Sequence, residues 1–553
     1  MKVDNVKLKD LLEGSRQFVV PRFQRTYSWE KRHWDDLWND LEELYDDKKY
    51  REHFMGVIVT MPVEMQPHGV NKFLLIDGQQ RLTTILLILA CIRDLIGNHG
   101  DLAEKIDKLY LQNQFTDESN RHKLLPTQID VDSFRRILDR KEQIESSISQ
   151  VYTQFRRRLR TTNDERESLD LEHFLDTMIE RLVFASIVID KEDNPYRIFH
   201  SLNGTGEALT QSDLVRNHIF MHVDDNDQEI AYQDYWFPIQ SALDKRNKLD
   251  NFMIDFVLKD GEFISRNSVY DSIRHATSQA TDPKKYVQDL LENLAIYFHY
   301  YLKLVDPGNE TDPRLGRLLS RLNSLRTTTP YPLLLNLYHE LDSGKLSKTN
   351  MSEILETIES FIVRRYFCRI HSRGLNLIFT RMYRSIVGEA DMVRAASQYL
   401  LVRKFPTDEE FIEGWIRYPI YGTGNQDRSR FVLESLETEI KQNNEPVDLF
   451  HEDITREHIM PQTLSEEWRR MLGKDAESIH ENYVHTIGNL TLTGMNESMG
   501  NKPFRLKKET FNRSSFALNT YFSECETWNK CQIEKRARFL GSVALQIWKR
   551  PDN

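Results

Sequence analysis

The feature that most constrains the fold is a mostly apolar stretch, Leu82 to Ile92, that follows a polar, glycine-containing turn. A membrane span needs about 20 apolar residues, so this shorter stretch predicts a buried helix over residues 82–96. Residues 72–76, immediately before the turn, predict a strand. A strand, a turn and a buried helix in close succession indicate a domain of the α+β class.

The polar turn consists of Asp77, Gly78, Gln79, Gln80 and Arg81. It stands where a helix N-terminus presents free N–H groups and a partial positive charge. Arg81 adds a planar fork suited to phosphate, Asp77 could hold a metal or a ribose hydroxyl, and the glutamines could orient a water or a base. The spacing of a Walker A loop is absent. Because such turns also cap helices for structural reasons, a capping role remains the alternative.

The composition predicts a multidomain cytoplasmic protein. The chain has 553 residues, more than one core usually holds, and its mean hydropathy is −0.58. We find no apolar run of membrane-spanning length, and charges interrupt the N-terminus where a signal peptide would be apolar. The cysteines form no C-x-x-C pair, so neither a Cys₄ zinc site nor a disulfide framework is expected. They are Cys91, Cys368, Cys525 and Cys531.

A second motif lies far along the chain, where Glu457 and His458 are followed by Asn489, Asn496 and Asn501. Cutting a phosphodiester near neutral pH needs an activated water, a divalent metal for the leaving oxygen, and groups that hold both in line. A histidine beside a carboxylate, with a later asparagine carbonyl, supplies that set. Oxygen ligands suit Mg²⁺ or Mn²⁺. The pattern therefore predicts a nuclease site.

The net charge of −11 does not exclude a nucleic-acid enzyme, because phosphate contacts depend on local charge. Residues 501–553 hold 11 lysines and arginines against 5 acidic residues. A second basic cluster, Arg156–Arg160, is either a solvated helix face or a DNA contact. Arg364 and Arg365 lie on an otherwise apolar helix and must find an acidic partner or a phosphate.

Two sets of motifs resemble one known family. PRFQRTYSWE (21–30), IDGQQRLTT (76–84) and FHSLNGTGEALTQSDLVRNHIF (199–220) resemble the DGQQR-motif NTPase domain, which has a ParB/sulfiredoxin-like core. ITREHIMPQ (454–462) and IGNLTLTGMNESMGNKPF (487–504) resemble the HNH, or ββα-metal, nuclease domain. Because the motifs occur in order across most of the chain, it resembles the GmrSD-type, modification-dependent (type IV) restriction endonucleases.

The resemblance implies an N-terminal domain over residues 1–220 that binds and hydrolyses a nucleotide, GTP or ATP. A helical middle region would span residues 221–400 and the nuclease domain residues 401–553. Asn203 and Asp213 belong to the third of these NTPase-domain motifs, and the resemblance assigns them no definite direct role. The nucleotide site would comprise Gln24, Arg25, Asp77, Gly78, Gln79, Gln80 and Arg81.

For the nuclease, the resemblance implies that His458 deprotonates the attacking water, since an ordinary imidazole pKa lies near the working pH. Glu457, in place of the more usual Asp, and Asn496 would bind the metal. Asn489 would fix the loop and orient His458, and Asn501 stays open as an alternative third ligand. The residues expected to hold the DNA backbone are Lys502, Arg505 and Lys507.

The expected substrate is double-stranded foreign DNA, such as phage DNA, that carries modifications, and no membrane partner is expected. One alternative is a nuclease without modification dependence, which would act on general DNA or RNA once a partner or an infection signal releases it. A non-enzymatic scaffold is disfavoured because no expected catalytic position is missing. A homodimer is plausible, since cutting a duplex takes two strand cuts and each chain has one HNH site.

Overall fold

The computed structural model describes residues 2–21, 24–47, 49, 51–97, 101–160, 169–190, 210–224, 227–243, 246–422, 426–441, 454–494 and 499–552. Asn203 and Asn496 lie outside these ranges. Two compact units make up the chain. Unit 1 comprises Met1–Asp250 with Arg266–Glu292, and unit 2 comprises Asn251–Ser265 with Asn293–Asn553. The middle region is thus shared between the units, and the division into three domains stays a prediction.

The strands, in chain order, are β1 Lys2–Lys7, β2 Arg16–Val19, β3 His53–Glu64, β4 Asn71–Asp77, β5 Leu124–Leu125, β6 Leu182–Val188, β7 Thr455–His458 and β8 Leu490–Thr493. The first ten helices of the described ranges are α1 Leu8–Leu12, α2 Lys31–Asp46, α3 Gln79–Ile96, α4 Asp101–Ile106, α5 Val131–Leu138, α6 Ser147–Arg160, α7 Leu171–Arg181, α8 Gln211–His222, α9 Gln228–Ile230 and α10 Phe237–Ala242.

The helices that follow are α11 Arg246–Leu258, α12 Val269–Gln279, α13 Pro283–Val305, α14 Pro313–Ser324, α15 Tyr331–Asp342, α16 Lys348–Phe367, α17 Leu375–Ile386, α18 Met392–Leu401, α19 Asp408–Arg417, α20 Gln426–Lys441, α21 Glu466–Leu472, α22 Ala476–Tyr483, α23 Phe504–Phe511, α24 Ala517–Thr520 and α25 Lys530–Ile547. A π-helical turn spans Asp107–Leu111, and a 3₁₀ turn spans Ile487–Asn489. Across the described ranges, no helix is both long and apolar enough to cross a bilayer.

Unit 1 is built on a six-stranded mixed sheet with the strand order β1-β6-β3-β4-β2-β5. Strands β1 and β6 pair antiparallel, as do β3 and β4, and the other neighbours pair parallel. Unit 2 contains helices and the short antiparallel pair β7–β8. The mixed α+β class expected from the sequence is therefore confirmed.

Helix α3 is the buried element that the apolar stretch predicts. Its side chains from Leu82 to Ile92 are fully or almost fully buried. Gly78, the residue before the helix, has φ +95°, a left-handed conformation that favours glycine. A Cβ at Gly78 would lie 2.9 Å from Ile58 Cγ1 and 3.2 Å from the Val57 carbonyl oxygen. The turn thus needs glycine both for its backbone conformation and for the close approach of β3.

The arginine pair on α16 is paired within unit 2. Arg364 contacts Asp408 at 2.7 Å and donates to two main-chain carbonyls. Arg365 donates to three main-chain carbonyls. Arg364 thus has the acidic partner expected from the sequence, whereas Arg365 is held by carbonyls alone and its buried Nε has no partner among the described residues. In the basic cluster on α6, Arg158 pairs with Asp35, so at least this member has a structural role.

We predict that Gly78→Ala lowers the melting temperature more than Gly14→Ala does. Both glycines have positive φ, but nothing lies within 4 Å of a Cβ at Gly14. The control therefore carries only the backbone strain of about 1–2 kcal/mol, whereas Gly78→Ala adds a clash that costs about 1–3 kcal/mol. Thermal unfolding followed by fluorescence measures both. Equal melting temperatures for the two variants would show that the close approach is unimportant.

Candidate functional site

The short strand pair of unit 2 brings the second motif together. Strand β7 pairs antiparallel with β8, with Glu457 opposite Thr491 and His458 opposite Leu490. Helix α23 follows β8 in the chain, and residues 495–498 between them lie outside the described residues. Helices α21 and α22 lie between the two strands in the chain, and the Glu457–His458 dipeptide stands at the end of β7.

Asn489 braces this strand pair with all of its side-chain groups. Its Oδ1 accepts from the Met460 N–H at 2.7 Å and from Trp528 Nε1 at 3.0 Å. Its Nδ2 donates to the carbonyls of Met460 and Val484, each at 2.9 Å. The side chain is fully buried. With both donors and the acceptor engaged, Asn489 holds the residues after His458 in place and has no oxygen directed to a metal.

The Asn489 turn also depends on the close packing of helix α25. A Cβ at Gly488 would lie 2.4 Å from the carbonyl oxygen of Ile533. Arg536, on the same helix, donates through Nη1 to the carbonyls of Gly488 and Leu490 at 3.0 and 2.7 Å. The glycine and the arginine together let the helix backbone support the turn directly.

Glu457 forms a buried pair with Lys507. The Lys507 ammonium lies 2.5 Å from Glu457 Oε1 and donates to the His458 carbonyl at 2.6 Å. Phe504, Lys507 and Phe511 follow each other at spacings of three and four residues, so they share the buried face of α23. Lys507 is fully buried. In this structure it contacts Glu457 rather than the surface where a DNA backbone would lie.

The side chain of His458 faces a second histidine. His458 Nε2 lies 3.2 Å from His485 Nδ1, and Gln462 Nε2 lies 3.5 Å from His458 Nδ1. An amide NH₂ can only donate, so with this orientation Nδ1 accepts and Nε2 carries the hydrogen, donated to His485. Tyr421 packs edge-on to His458 and stacks on His485. The basic nitrogen of His458 is then Nδ1, on the side of the exposed Gln462.

Burial and neighbouring charges set the protonation states. Burial, with His485 and Lys507 nearby, lowers the pKa of His458 to about 3. The imidazole is therefore neutral at working pH, although its pKa lies far below the ordinary value on which the sequence argument rested. Burial raises the pKa of Glu457 and lowers the pKa of Lys507, and their mutual attraction opposes both shifts.

The other described residues predicted for this site lie at the surface, unlike the buried Glu457 and His458. Asn501, Lys502 and Arg505 are exposed. Within the described parts of the chain, no group of three or more His, Cys, Asp or Glu side chains is arranged to hold a metal ion. A divalent cation beside Glu457 would therefore take most of its ligands from water and phosphate, a coordination that Mg²⁺ tolerates.

In unit 1, the segments PRFQRTYSWE (21–30) and IDGQQRLTT (76–84) are joined by hydrogen bonds. Gln24 donates to the carbonyls of Leu75 and Ile76 at 2.6 and 2.7 Å. Gln79 donates to the Arg25 carbonyl, and Gln80 donates to the Thr26 carbonyl at the same distance of 3.2 Å. The Ser28 N–H donates back to Gln80 Oε1 at 2.9 Å. The two glutamines thus hold the loop of residues 24–28 against the start of α3.

Arg81 fixes the irregular part of β3. Its guanidinium donates to the carbonyls of Met55 and Val57 at 2.9 and 2.8 Å, and lies 3.8 Å from Asp77. A Cβ at Gly56 would occupy the position of this guanidinium. Burial raises the pKa of Asp77, which Arg81 opposes. The fork expected to bind phosphate therefore contacts main-chain oxygens here.

Residues of PRFQRTYSWE (21–30) and of the segment 199–220 line one cavity of 640 Å³ in unit 1. Its lining includes Arg25, Thr210, Asp213 and Arg216. Asp213 and Arg216 form a buried ion pair at 2.8 Å. Residues 77–81 are not among the lining residues. The sequence motifs thus divide into a lining set and a supporting set, a division that spacing alone did not reveal.

Sequence reasoning missed His485 and Tyr421. His485 lies four residues before Asn489 in the stretch His485-Thr486-Ile487-Gly488-Asn489, so its proximity to a recognised motif was visible. Tyr421 is far from both motifs in sequence, and the isolated bridge between Pro419 and Thr486 brings it to the site. No local signal could have found it.

Comparison with known protein families identifies the class. Residues 8–220 match the N-terminal domain of the GmrSD restriction endonuclease, and residues 405–543 match the C-terminal domain of GmrSD restriction endonucleases. The two matches stand in order and together span more than half of the chain. The chain belongs to the GmrSD restriction endonuclease family, and membership implies endonuclease activity on DNA. Among curated proteins, no match is found.

We predict that Asn489→Ala destabilises unit 2 by at least about 2 kcal/mol, because it leaves buried main-chain groups without partners. Asn482→Ala is the matched control, since Asn482 is exposed and makes one hydrogen bond, to the Ser478 carbonyl. Urea unfolding followed by tryptophan fluorescence measures the difference, with Trp528 as a reporter at the site. Identical unfolding of the two variants would contradict the bracing role.

Proposed function

We propose that this protein is a metal-dependent HNH-type endonuclease that cleaves modified foreign DNA in antiviral defence, with a nucleotide-binding unit 1. The observation that carries the proposal is the position of Glu457 and His458. They adjoin at the end of β7, beside β8 and the basic helix α23, with His458 neutral. Family membership supports the endonuclease activity.

His458 is the proposed general base. Its Nδ1 accepts a proton from the attacking water, while His485 and Asn489 hold the ring and the following backbone in place. With a pKa of about 3, the free imidazole is a weak base. The negative phosphate of bound DNA raises that pKa toward the working range, because a nearby opposite charge favours the protonated form.

Glu457 is the proposed carboxylate ligand for Mg²⁺ or Mn²⁺, together with an asparagine oxygen from Asn496 or Asn501. A bound divalent cation would supply charge stabilisation for the leaving oxygen. Lys507 contacts one oxygen of Glu457, so it positions that carboxylate. Lys502 and Arg505 are exposed and are proposed to contact the DNA backbone.

We predict that His458→Ala reduces cleavage by at least about 100-fold, the usual contribution of a general base. The assay compares matched duplexes carrying cytosine or glucosylated hydroxymethylcytosine, with Mg²⁺ or Mn²⁺ and with or without nucleotide. His299→Ala is the control, since His299 is an exposed histidine of the same unit. Retained cutting in His458→Ala would refute the proposed base.

The same assay separates the second candidate function. Selective cutting of the modified duplex supports modification dependence. Equal cutting of both duplexes, or cutting of RNA, supports a general nuclease that another signal releases. Sedimentation during double-strand cleavage tests the proposed homodimer, which a purely monomeric profile would contradict.

The cavity of unit 1 is the proposed nucleotide site, for GTP or ATP, with hydrolysis coupled to cleavage. Its size falls in the range of about 300–1,000 Å³ typical of small-molecule pockets. Arg25 and Arg216 bring positive charge to its lining, and Ser28, Thr210 and Ser212 bring hydroxyl groups. In this proposal Gln79 and Gln80 hold the Arg25 loop. Asp77, Gly78 and Arg81 support the turn and β3 behind it.

We predict that Arg25→Ala and Arg81→Ala have different effects, because Arg25 lines the cavity and Arg81 supports the backbone behind it. Arg25→Ala weakens nucleotide binding about tenfold or more, the loss of one charge-assisted hydrogen bond, with little change in melting temperature. Arg81→Ala lowers the melting temperature, because it leaves the Met55 and Val57 carbonyls without their donor. Calorimetric titration with GTP and ATP, and thermal unfolding, measure the two effects.

The roles would be reversed, and the original phosphate role of Arg81 favoured, if Arg81→Ala lost nucleotide binding at an unchanged melting temperature. The coupling of the two units is tested with the same variants. An Arg25→Ala protein without nucleotide binding whose cutting is unaltered, with or without nucleotide, would refute the coupling.

A further inference from the structure

Unit 1 contains a second cavity, of 630 Å³, that shares no lining residue with the first. It lies between helix α4 with the following π-helical turn, the Gly14–Ser15 turn, and residues 112–115 of the next loop. Its volume is large enough for a nucleoside-sized group. None of the sequence motifs contributes to its lining.

The loop that forms one wall is firmly held. Gln112 and His122 form an antiparallel bridge, and the Asn113 N–H donates to the Arg121 carbonyl at 2.6 Å. Gln17 of β2 donates to the carbonyl of His122 at 3.0 Å. The loop therefore stands as a braced hairpin at the edge of the sheet.

Phe115 lies at the end of this hairpin. Its ring is fully exposed, and its φ is +53°, a left-handed backbone conformation that is unfavourable for an aromatic residue. Burial in the core therefore does not explain either the apolar ring or the strained backbone. Strained residues of this kind concentrate at ligand-binding positions.

Two buried polar groups also line the cavity. Asn113 donates through Nδ2 to the Asn120 carbonyl at 2.9 Å, which fixes the orientation of its amide. Its Oδ1 is buried and has no hydrogen-bond partner among the described residues. Lys123 is 2 % exposed, and its ammonium donates to the Gly14 carbonyl, which leaves further N–H groups. The cavity thus offers an acceptor and a cationic donor beside an aromatic face.

We infer that this cavity receives a base of the DNA substrate that has been turned out of the helix. The base would stack on Phe115, its exocyclic amine would donate to Asn113 Oδ1, and Lys123 would donate to a carbonyl oxygen of the base or of its modification. Lys105 and Lys108 on the rim suit the flanking phosphates, although Asp101 and Glu104 also line it. The inference rests on the proposed function only in taking DNA as the substrate.

The test uses the full chain with Phe115→Ala, Phe115→Trp and the control Phe54→Ala. Phe54 is an exposed phenylalanine of the same unit, outside the cavity. The probes are duplexes with glucosylated hydroxymethylcytosine or cytosine, each with 2-aminopurine beside that base, which brightens when its neighbour leaves the stack. Binding is measured in Ca²⁺ to prevent cutting, and free dCMP is titrated separately.

We expect Phe115→Ala to weaken duplex binding about tenfold and to abolish the fluorescence rise, because it removes one base-stacking contact. Phe115→Trp should restore both, and Phe54→Ala should match the wild type. Wild-type affinity and fluorescence in Phe115→Ala would overturn the inference. So would Phe115-dependent binding of free dCMP with unaltered duplex binding, which would assign the cavity to a free nucleotide.

Failure of the proposed function gives a different result. If the wild type binds and cuts both duplexes equally while Phe115→Ala still loses the fluorescence rise, the cavity accepts an unmodified base. The inference then stands and modification dependence fails. If the wild type cuts the modified duplex selectively and Phe115→Ala binds and fluoresces as the wild type does, modification dependence stands and the inference about the cavity fails.

Discussion

The amide of Asn489 is the interaction on which the candidate nuclease site depends. Strands β7 and β8 have four residues each, too few to hold their register by main-chain pairing alone. One buried side chain ties the second residue after the first strand, the turn before the second strand, and Trp528. Because every one of its hydrogen bonds is buried, slippage of either strand would leave several polar groups unpaired. The backbone on both sides of His458 is thereby held in place.

The same principle organises unit 1, where the polar motif residues bind main-chain groups. Buried N–H groups of amides and guanidinium groups need acceptors, and Gln24, Gln79, Gln80 and Arg81 find them in main-chain carbonyls of neighbouring segments. Residues 79 and 80 thereby fix the shape of the loop of residues 24–28. A ligand in the larger cavity would meet Arg25 and the third motif, while residues 77–81 act one layer behind.

Parts of this architecture follow from the sequence. A buried helix needs apolar side chains along its length, and a turn with positive φ favours glycine. The strand at 72–76 and the helix after Gly78 arise from local patterns, whereas the grouping of Glu457, His458 and Asn489 was expected from the motif and the family resemblance. What could not be predicted is long-range: that Lys507 enters the core to contact Glu457, and that Tyr421 reaches His485. The helical spacing of Lys507 between two buried phenylalanines did carry a signal, which its charge obscured.

The electrostatics of the site follow from this burial. The folded-state pKa of His458 is about 3, below the unfolded value of about 6.5, so the unfolded chain binds the proton more readily. The contribution of the neutral His458 to the free energy of unfolding is therefore fully present above about pH 6.5 and is lost as the pH falls toward 3. A negative charge that arrives nearby would favour the protonated imidazole. DNA phosphate supplies that charge, so in our proposal substrate binding itself makes His458 a competent base.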